Sequence, residues 1–269
     1  MRAMWRAGGM RLTSEMGFDA EWLALREASD VVARDADLLA QAMTYAGSGG
    51  TLLDLGCGTG ATARVFESAG AQDIRWRFFD NDAELLKRAA ARHPQAEIIQ
   101  GDLADIDELP LAGVRLVTAS ALLDLVSRDW MERFAARLAS ERVALYATLS
   151  YDGVMNWTPL DPEDAIITER FNAHQRGDKG FGPALGPDAA ESVAQILGAR
   201  GYSVSLAPSP WRLGATAADM QRALLHGIAQ AALEMGHATA DQWIGRRKAH
   251  LSEGWAEIGH MDLLALPPS

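Results

Sequence analysis

The sequence predicts an α/β protein built on an open sheet, and three observations predict it. Apolar runs of strand length alternate with stretches of helical periodicity between residues 51 and 150, the pattern of consecutive strand–helix units. The first run, Leu52, Leu53 and Leu55, opens into the glycine-dense turn Gly56-Cys57-Gly58-Thr59-Gly60, and a helix begins at Ala61. Glycine lets the backbone turn sharply and lets a ligand approach without meeting a Cβ, while the helix start adds unpaired N–H groups. Carboxylates also stand where strands run out, Asp80 after Phe78-Phe79 and Asp102 after Ile98-Ile99-Gln100. Open α/β sheets hold their ligands at that edge.

Composition sets the outer bounds. With 269 residues, 48% hydrophobic and 23% charged, the chain can bury a sizeable core in one elaborated domain. A net charge of -11 gives no encouragement to a nucleic-acid partner. The only cysteine, Cys57, lies in the glycine turn. No intrachain disulfide is possible, which suits a reducing cytoplasm. No apolar run approaches a membrane span. The basic start (Arg2, Arg6, Arg11) lacks a signal peptide's apolar core and reads as a flexible N-terminus over 1–17.

The glycine turn alone is ambiguous, because Gly56, Gly58 and Ala61 also fit a dinucleotide fingerprint. Asp54, two residues before the first glycine, tips the balance. A carboxylate sits badly beside a pyrophosphate and well beside an ammonium and a sulfonium. The run Asp54-Leu55-Gly56-Cys57-Gly58-Thr59-Gly60 closely resembles the first motif of class I S-adenosylmethionine-dependent methyltransferases. The resemblance extends over roughly 50–150 and to the last two strands. It implies a Rossmann-like, doubly wound, seven-stranded and mostly parallel sheet with an antiparallel last strand. It also implies S-adenosyl-L-methionine as cofactor, held by Asp54 and the turn residues Gly56, Cys57, Gly58, Thr59 and Gly60.

The other elements follow in order. Trp22, Leu25, Ser29, Val32, Ala36, Leu39 and Met43 recur at helical spacing, so 18–46 reads as helix. Arg26, Asp30 and Arg34 lie at four-residue steps on a neighbouring face, where ion pairs along the helix are expected. The resemblance implies that such a helix closes over the cofactor, with Arg26 or Arg34 meeting the methionine carboxylate. The helix of 61–69 stops at Gly70. After the strand of 76–79, Asn81 is placed to cap the next helix, with Glu84 as capping-box partner. Asp80, 26 residues past Asp54, then suits both ribose hydroxyls, and Asn81 borders the same site. By resemblance Asp102 meets the adenine amino group, with the Leu103 backbone beside it. The fourth strand, 114–120, ends at Ser120, also placed at the cofactor. Asp124 follows, in a position where small-molecule members of the superfamily often carry a polar or catalytic group. The Asn/Asp-Pro-Pro-aromatic stretch usual in methyltransferases of nucleic-acid amino groups is missing here.

Beyond the fifth strand, 142–150, the chain is less standard. Asp161 with Pro162 reads as a helix start. The helix carries Phe171, Asn172, His174 and Gln175 to Gly177, and a Gly/Pro-rich loop with Lys179 runs to Pro187. A helix over 188–200, a strand at 202–206, helices at 217–235 and 240–257 and a last strand at 261–267 complete the order. The expected organisation is one domain, 18–269. Its cofactor half is 18–150, and its substrate and cap insertions are 151–187 and 214–258. Candidates to take a proton from a small-molecule acceptor are Asp124, His174 and Tyr151. Asn172, Gln175 and Lys179 are candidates to orient it. No spacing resembles a metal site. Three other readings stay open: a non-methylating use of the cofactor such as intramolecular displacement, an NAD-type oxidoreductase, and a non-catalytic cofactor-binding protein. The oligomeric state is not readable.

Overall fold

The computed structural model describes residues 20–268, preceded by two short antiparallel pairs, Arg6–Ala7 with Met10–Arg11 and Thr13–Ser14 with Gly17–Phe18. Much of the flexible start expected over 1–17 lies outside the described residues.

The apolar runs become β1 (Thr51–Leu55), β2 (Arg75–Asp80), β3 (Glu97–Gln100), β4 (Leu116–Ser120) and β5 (Ala144–Thr158). They are followed by β6 (Ser203–Pro208), β7 (Trp211–Leu213) and β8 (Trp255–Leu266). Strand order is β6-β8-β5-β4-β1-β2-β3. The β1 to β5 neighbours pair in parallel, and β8 runs antiparallel between β5 and β6. That is the sheet the resemblance implies, with the short β7 added on β8.

Alternation along each strand feeds two cores. Leu53, Leu55, Val117 and Leu145 face the layer of α5 (Arg128–Glu141) and α7 (Ala189–Gly198). Leu52, Leu116 and Tyr146 face α2 (Ala36–Ala46), α3 (Ala61–Ser68) and α4 (Ala83–Arg92).

The structure corrects the sequence reading in four places. The helix expected over 18–46 breaks into α1 (Ala20–Ala33) and α2, because the Asp35 side chain caps α2 by accepting from the Leu38 amide at 2.8 Å. The buried face of α1 is Trp22, Arg26 and Asp30, while Val32 is 85% exposed. Of the expected apolar stripe, Trp22 is buried in the core around Trp211 and Leu25 packs against it, while Arg26 and Asp30 complete the inner face. Asp82, not Asn81, caps α4, accepting from the Glu84 and Leu85 amides. Asp161 does not cap α6 (Asp164–Gln175); it accepts from the Glu163 amide and pairs with Arg246 instead. Finally, β5 runs on to Thr158 and β8 begins at Trp255, so α9 (Ala240–Ala249) ends well before 257.

These two long strands form an arm beyond the carboxyl edge of the sheet. With α6, α8 (Ala218–Glu234), α9 and β7 the arm builds a separate core around Trp157, Ile167, Trp211, Ile228 and Trp243. The arm thus holds a cap above the strand ends. An expected consequence of the α4 cap is modest: Asp82→Ala should cost about 1 kcal/mol, read as a lower urea midpoint at unchanged slope.

Candidate active site

The glycine turn is closed by β2. The Phe79 carbonyl accepts from the Gly56 amide at 2.9 Å and the Cys57 amide at 3.2 Å. Asp80 then uses both oxygens, Oδ2 accepting from the Gly58 amide at 2.8 Å and Oδ1 from the Asp82 amide at 3.0 Å. Gly58 has φ of 55°, and a Cβ there would stand 3.1 Å from Leu23 of α1, so a side chain meets both strain and contact. Gly101 allows a second close approach: a Cβ would lie 2.5 Å from the Phe79 ring. Asp102 is exposed and accepts from the Ala104 amide, while the Leu103 carbonyl accepts from Trp130 Nε1 at 2.7 Å. Asn81 is exposed, its carbonyl accepting from Gln100.

Under the turn lies a polar floor. Asp54 is 1% exposed. Its Oδ1 accepts from Thr118 Oγ1 at 2.6 Å, and its Oδ2 has no partner among the described residues. Burial pushes this carboxyl up to about 7, against the Thr118 bond and the field of Arg34. Arg34 is 8% exposed and forms no ion pair among the described residues. Its terminal nitrogens donate to Thr148 Oγ1 and, at 3.1 Å, to Ser120 Oγ; Nε is buried and unpartnered. Helix α1 is fastened over the turn by Arg64, which pairs with Glu27 at 2.6 Å and donates to the Thr59 carbonyl. Two non-glycine residues hold left-handed backbones here, Ala121 just past β4 at φ 51° and Leu149 within β5 at φ 57°. Such backbone strain persists where surrounding bonds fix it. Leu149 is fixed by Asp262, which is 0% exposed and accepts from the Leu149 and Asp35 amides at 2.9 Å each.

The acceptor side begins at Asp124, past β4. Its Oδ1 is buried without a partner among the described residues. Burial pushes the carboxyl up to about 6, opposed by its own backbone N–H and the fields of Arg26 and Lys179. Tyr151, 6% exposed, donates to Asn172 Oδ1 at 2.7 Å, and Asn172 donates to the Gly153 carbonyl at 2.9 Å. Phe171 stands edge-on to the Tyr151 ring at 5.4 Å. His174 is engaged between α6 and α8: Nε2 faces Glu234 Oε2 at 3.0 Å, and Lys179 Nζ lies 3.4 Å from Nδ1. Burial, with Lys179, lowers the His174 pKa against the pull of Glu234; burial also lowers that of Lys179. Gln175 is half-buried on α6. The field of Asp124 reaches the Tyr151 hydroxyl, which is bonded to Asn172, and His174 braces α6 against α8. Among the described residues no group of three or more His, Cys, Asp or Glu is placed to hold a metal ion. No described helix is long and apolar enough to cross a membrane.

Residues 52–141 match the family model of a methyltransferase domain. The match runs from β1 through α5 and takes in the glycine turn, Asp80 and Ser120. No curated protein sequence matches it. A cyclopropane synthase from Mycobacterium tuberculosis has the same fold at a TM-score of 0.50 and 13% identity, over 92% of this chain and 94% of that one. The phosphoethanolamine N-methyltransferase 2 of Haemonchus contortus superposes with a TM-score of 0.48 and 13% identity, over 87% of this chain and 52% of its own.

The ion pair expected along the first helix forms between Arg26 and Asp30 at 2.8 Å, whereas sequence reasoning missed Trp211, His260 and Asp262. Asp262 left a signal, a lone carboxylate inside the apolar run Met261 to Leu266. Trp211 left none, because its partner Asp30 is 181 residues away and nothing local links them.

Proposed function

We propose that the protein transfers a methyl group from S-adenosylmethionine to a small-molecule acceptor, in a single domain over 18–269 capped by 151–187 and 214–258. The carrying observation is Asp124 Oδ1, a buried carboxylate oxygen with no partner among the described residues, whose field reaches Tyr151. A base enclosed in this way suits a small molecule rather than a polymer surface. The net charge of -11 and the single buried Cys57 agree with a cytoplasmic enzyme that has no nucleic-acid partner.

The polar floor fits the cofactor. Asp54 Oδ2 and Arg34 Nε are one anionic and one cationic group, both buried and unpartnered. Together they complement the ammonium and carboxylate of an amino-acid end. Asp80, Asn81, Asp102 and Leu103 border the nucleoside side, and Gly56 to Gly60 with Ser120 complete the set. When bound, the cofactor supplies an electrophilic methyl group on a sulfonium. This chain's residues do the rest. Asp124 takes the acceptor's proton, Tyr151 and Asn172 hold one wall, and α1 with the cap excludes water. Lys179 and Gln175 orient the acceptor, with His174 as the reserve base.

Two measurements test the reading. Incubation with an acceptor library should yield S-adenosylhomocysteine together with a methylated product. Loss of the cofactor without S-adenosylhomocysteine would instead mean an intramolecular displacement. Calorimetry with S-adenosylhomocysteine should give micromolar binding, about -8 kcal/mol. Because an ammonium favours the Asp54 carboxylate, binding should expel a proton below about pH 7, so affinity rises as pH climbs through about 7 and then levels. Tight NAD binding with no response to either compound would overturn the assignment.

A further inference from the structure

We infer that Arg26 recognises the acceptor and that the acceptor carries a carboxylate; the inference rests on the methyl-transfer reading above.

Helix α1 carries Arg26, and Arg34 follows its last residue, Ala33; both side chains are buried. They serve different places. Arg34 reaches the ends of β4 and β5 beside Asp54. Arg26 sits under the cap. Its side chain is 8% exposed, and its Nε donates to Asp30 Oδ2 at 2.8 Å. Asp30 Oδ1 in turn accepts from Trp211 Nε1 at 2.9 Å, and the Arg26 guanidinium lies over the Trp211 ring, 5.0 Å from its centroid. Trp211 packs against His260 at 4.5 Å, and His260 against Tyr151 at 6.2 Å. The guanidinium is thus clamped by a carboxylate on one edge and an indole on one face. Through these rings it is joined to the wall that holds Tyr151.

Its two terminal nitrogens make no hydrogen bond among the described residues. The outer edge of Arg26 is a rigid planar fork, the shape that takes a carboxylate by two parallel bonds. The surroundings limit a ligand at this fork to one negative charge. Asp30 neutralises Arg26, and Lys179 adds a half-buried ammonium whose field, like that of Arg26, reaches Asp124. Asp124 brings a negative charge of its own, which opposes a dianion such as phosphate. His260, pushed down to about 3 by burial, adds none near neutral pH. A monoanionic acid whose nucleophilic N–H or O–H faces Asp124 satisfies both ends of the site.

The test uses matched acids and amides: glycine and glycinamide, lactate and lactamide, benzoate and benzamide, salicylate and salicylamide. Each is added to protein loaded with S-adenosylhomocysteine, and the melting temperature is read. Acids should raise it and amides should not. In turnover with S-adenosylmethionine, kcat/KM should favour the acid of a pair by at least about tenfold. Arg26→Lys keeps the charge and the reach to Asp30 but loses the fork. It should raise KM or Kd for acids at least about tenfold, with kcat little changed and cofactor affinity intact. The proposal is overturned if amides bind as well as acids, if no pair member binds, or if Arg26→Lys weakens the cofactor instead of the acid. Acid binding through Arg26 without S-adenosylhomocysteine formation would uphold this proposal and sink methyl transfer. Equal turnover of acids and amides would do the reverse.

Discussion

Replacing Asp124 by Asn should lower turnover roughly 10²–10⁴-fold, equivalent to about 3–5.5 kcal/mol of transition-state stabilisation. Asn fills the same volume and still offers a carbonyl oxygen, but it cannot take a proton. The wild-type carboxyl is well matched to that work, because burial pushes it up to about 6, within reach of neutral pH. The sign of the pH dependence follows. The base must be ionised, so wild-type kcat/KM should climb with pH through about 6 and then flatten. Asp124→Asn should lack that limb while binding S-adenosylhomocysteine as before. Tyr151→Phe, which loses the bond to Asn172, should cost much less, since that hydroxyl is already donated within the protein. Full turnover by Asp124→Asn would move the proton transfer to another group, and His174→Ala would be the next variant to assay.

Where the sequence was legible, local chemistry set the outcome. A strand that must turn at once into a helix requires glycines, and Gly56, Gly58 and Gly60 all hold positive φ. Asp80 was visible because a carboxylate ending an apolar strand has few local uses, and the structure ties it to the turn. Where the sequence misled, the partner was remote. The apolar stripe of α1 held at Trp22 but not at Val32, because the inner face continues through Arg26 and Asp30, covered by Trp211. Periodicity detects burial against an apolar core and is blind to burial against polar groups. The fifth strand was cut short at Ser150 because the next residues mix polar and apolar types, whereas the pairing of β5 with β8 runs from Ala265 to Trp255. A paired arm needs no continuous apolar run. Asp161 and Pro162 carried a helix-start signature, but Arg246, 85 residues away, claims the Asp161 carboxylate. His174 looked like a base by its ordinary pKa, and its neighbours Glu234 and Lys179 could not be read from spacing.

The second large effect is expected at Asp80. Asp80→Ala should weaken S-adenosylhomocysteine binding at least about tenfold, and by more if two charge-assisted bonds to the ribose hydroxyls, each worth about 1.5–3 kcal/mol, are both lost. On the sequence alone the ligand-free melting temperature should barely move. The structure changes that expectation. Both oxygens already accept backbone amides, from Gly58 and Asp82, and each oxygen keeps a second lone pair for a ligand hydroxyl. Removing the carboxylate orphans two amides, so ligand-free Asp80→Ala should melt lower, partly offset because an acid strained by burial is also gone. A fall in affinity could then come from a loosened turn rather than from lost ribose contacts. Comparing S-adenosylhomocysteine with its 2′-deoxy analogue separates the two in a chemical double-mutant cycle. Wild-type protein should bind the deoxy compound more weakly, and Asp80→Ala should bind the two alike. If the variant still prefers the hydroxylated ligand by the wild-type margin, Asp80 acts only through the turn, and the ribose is held by other groups.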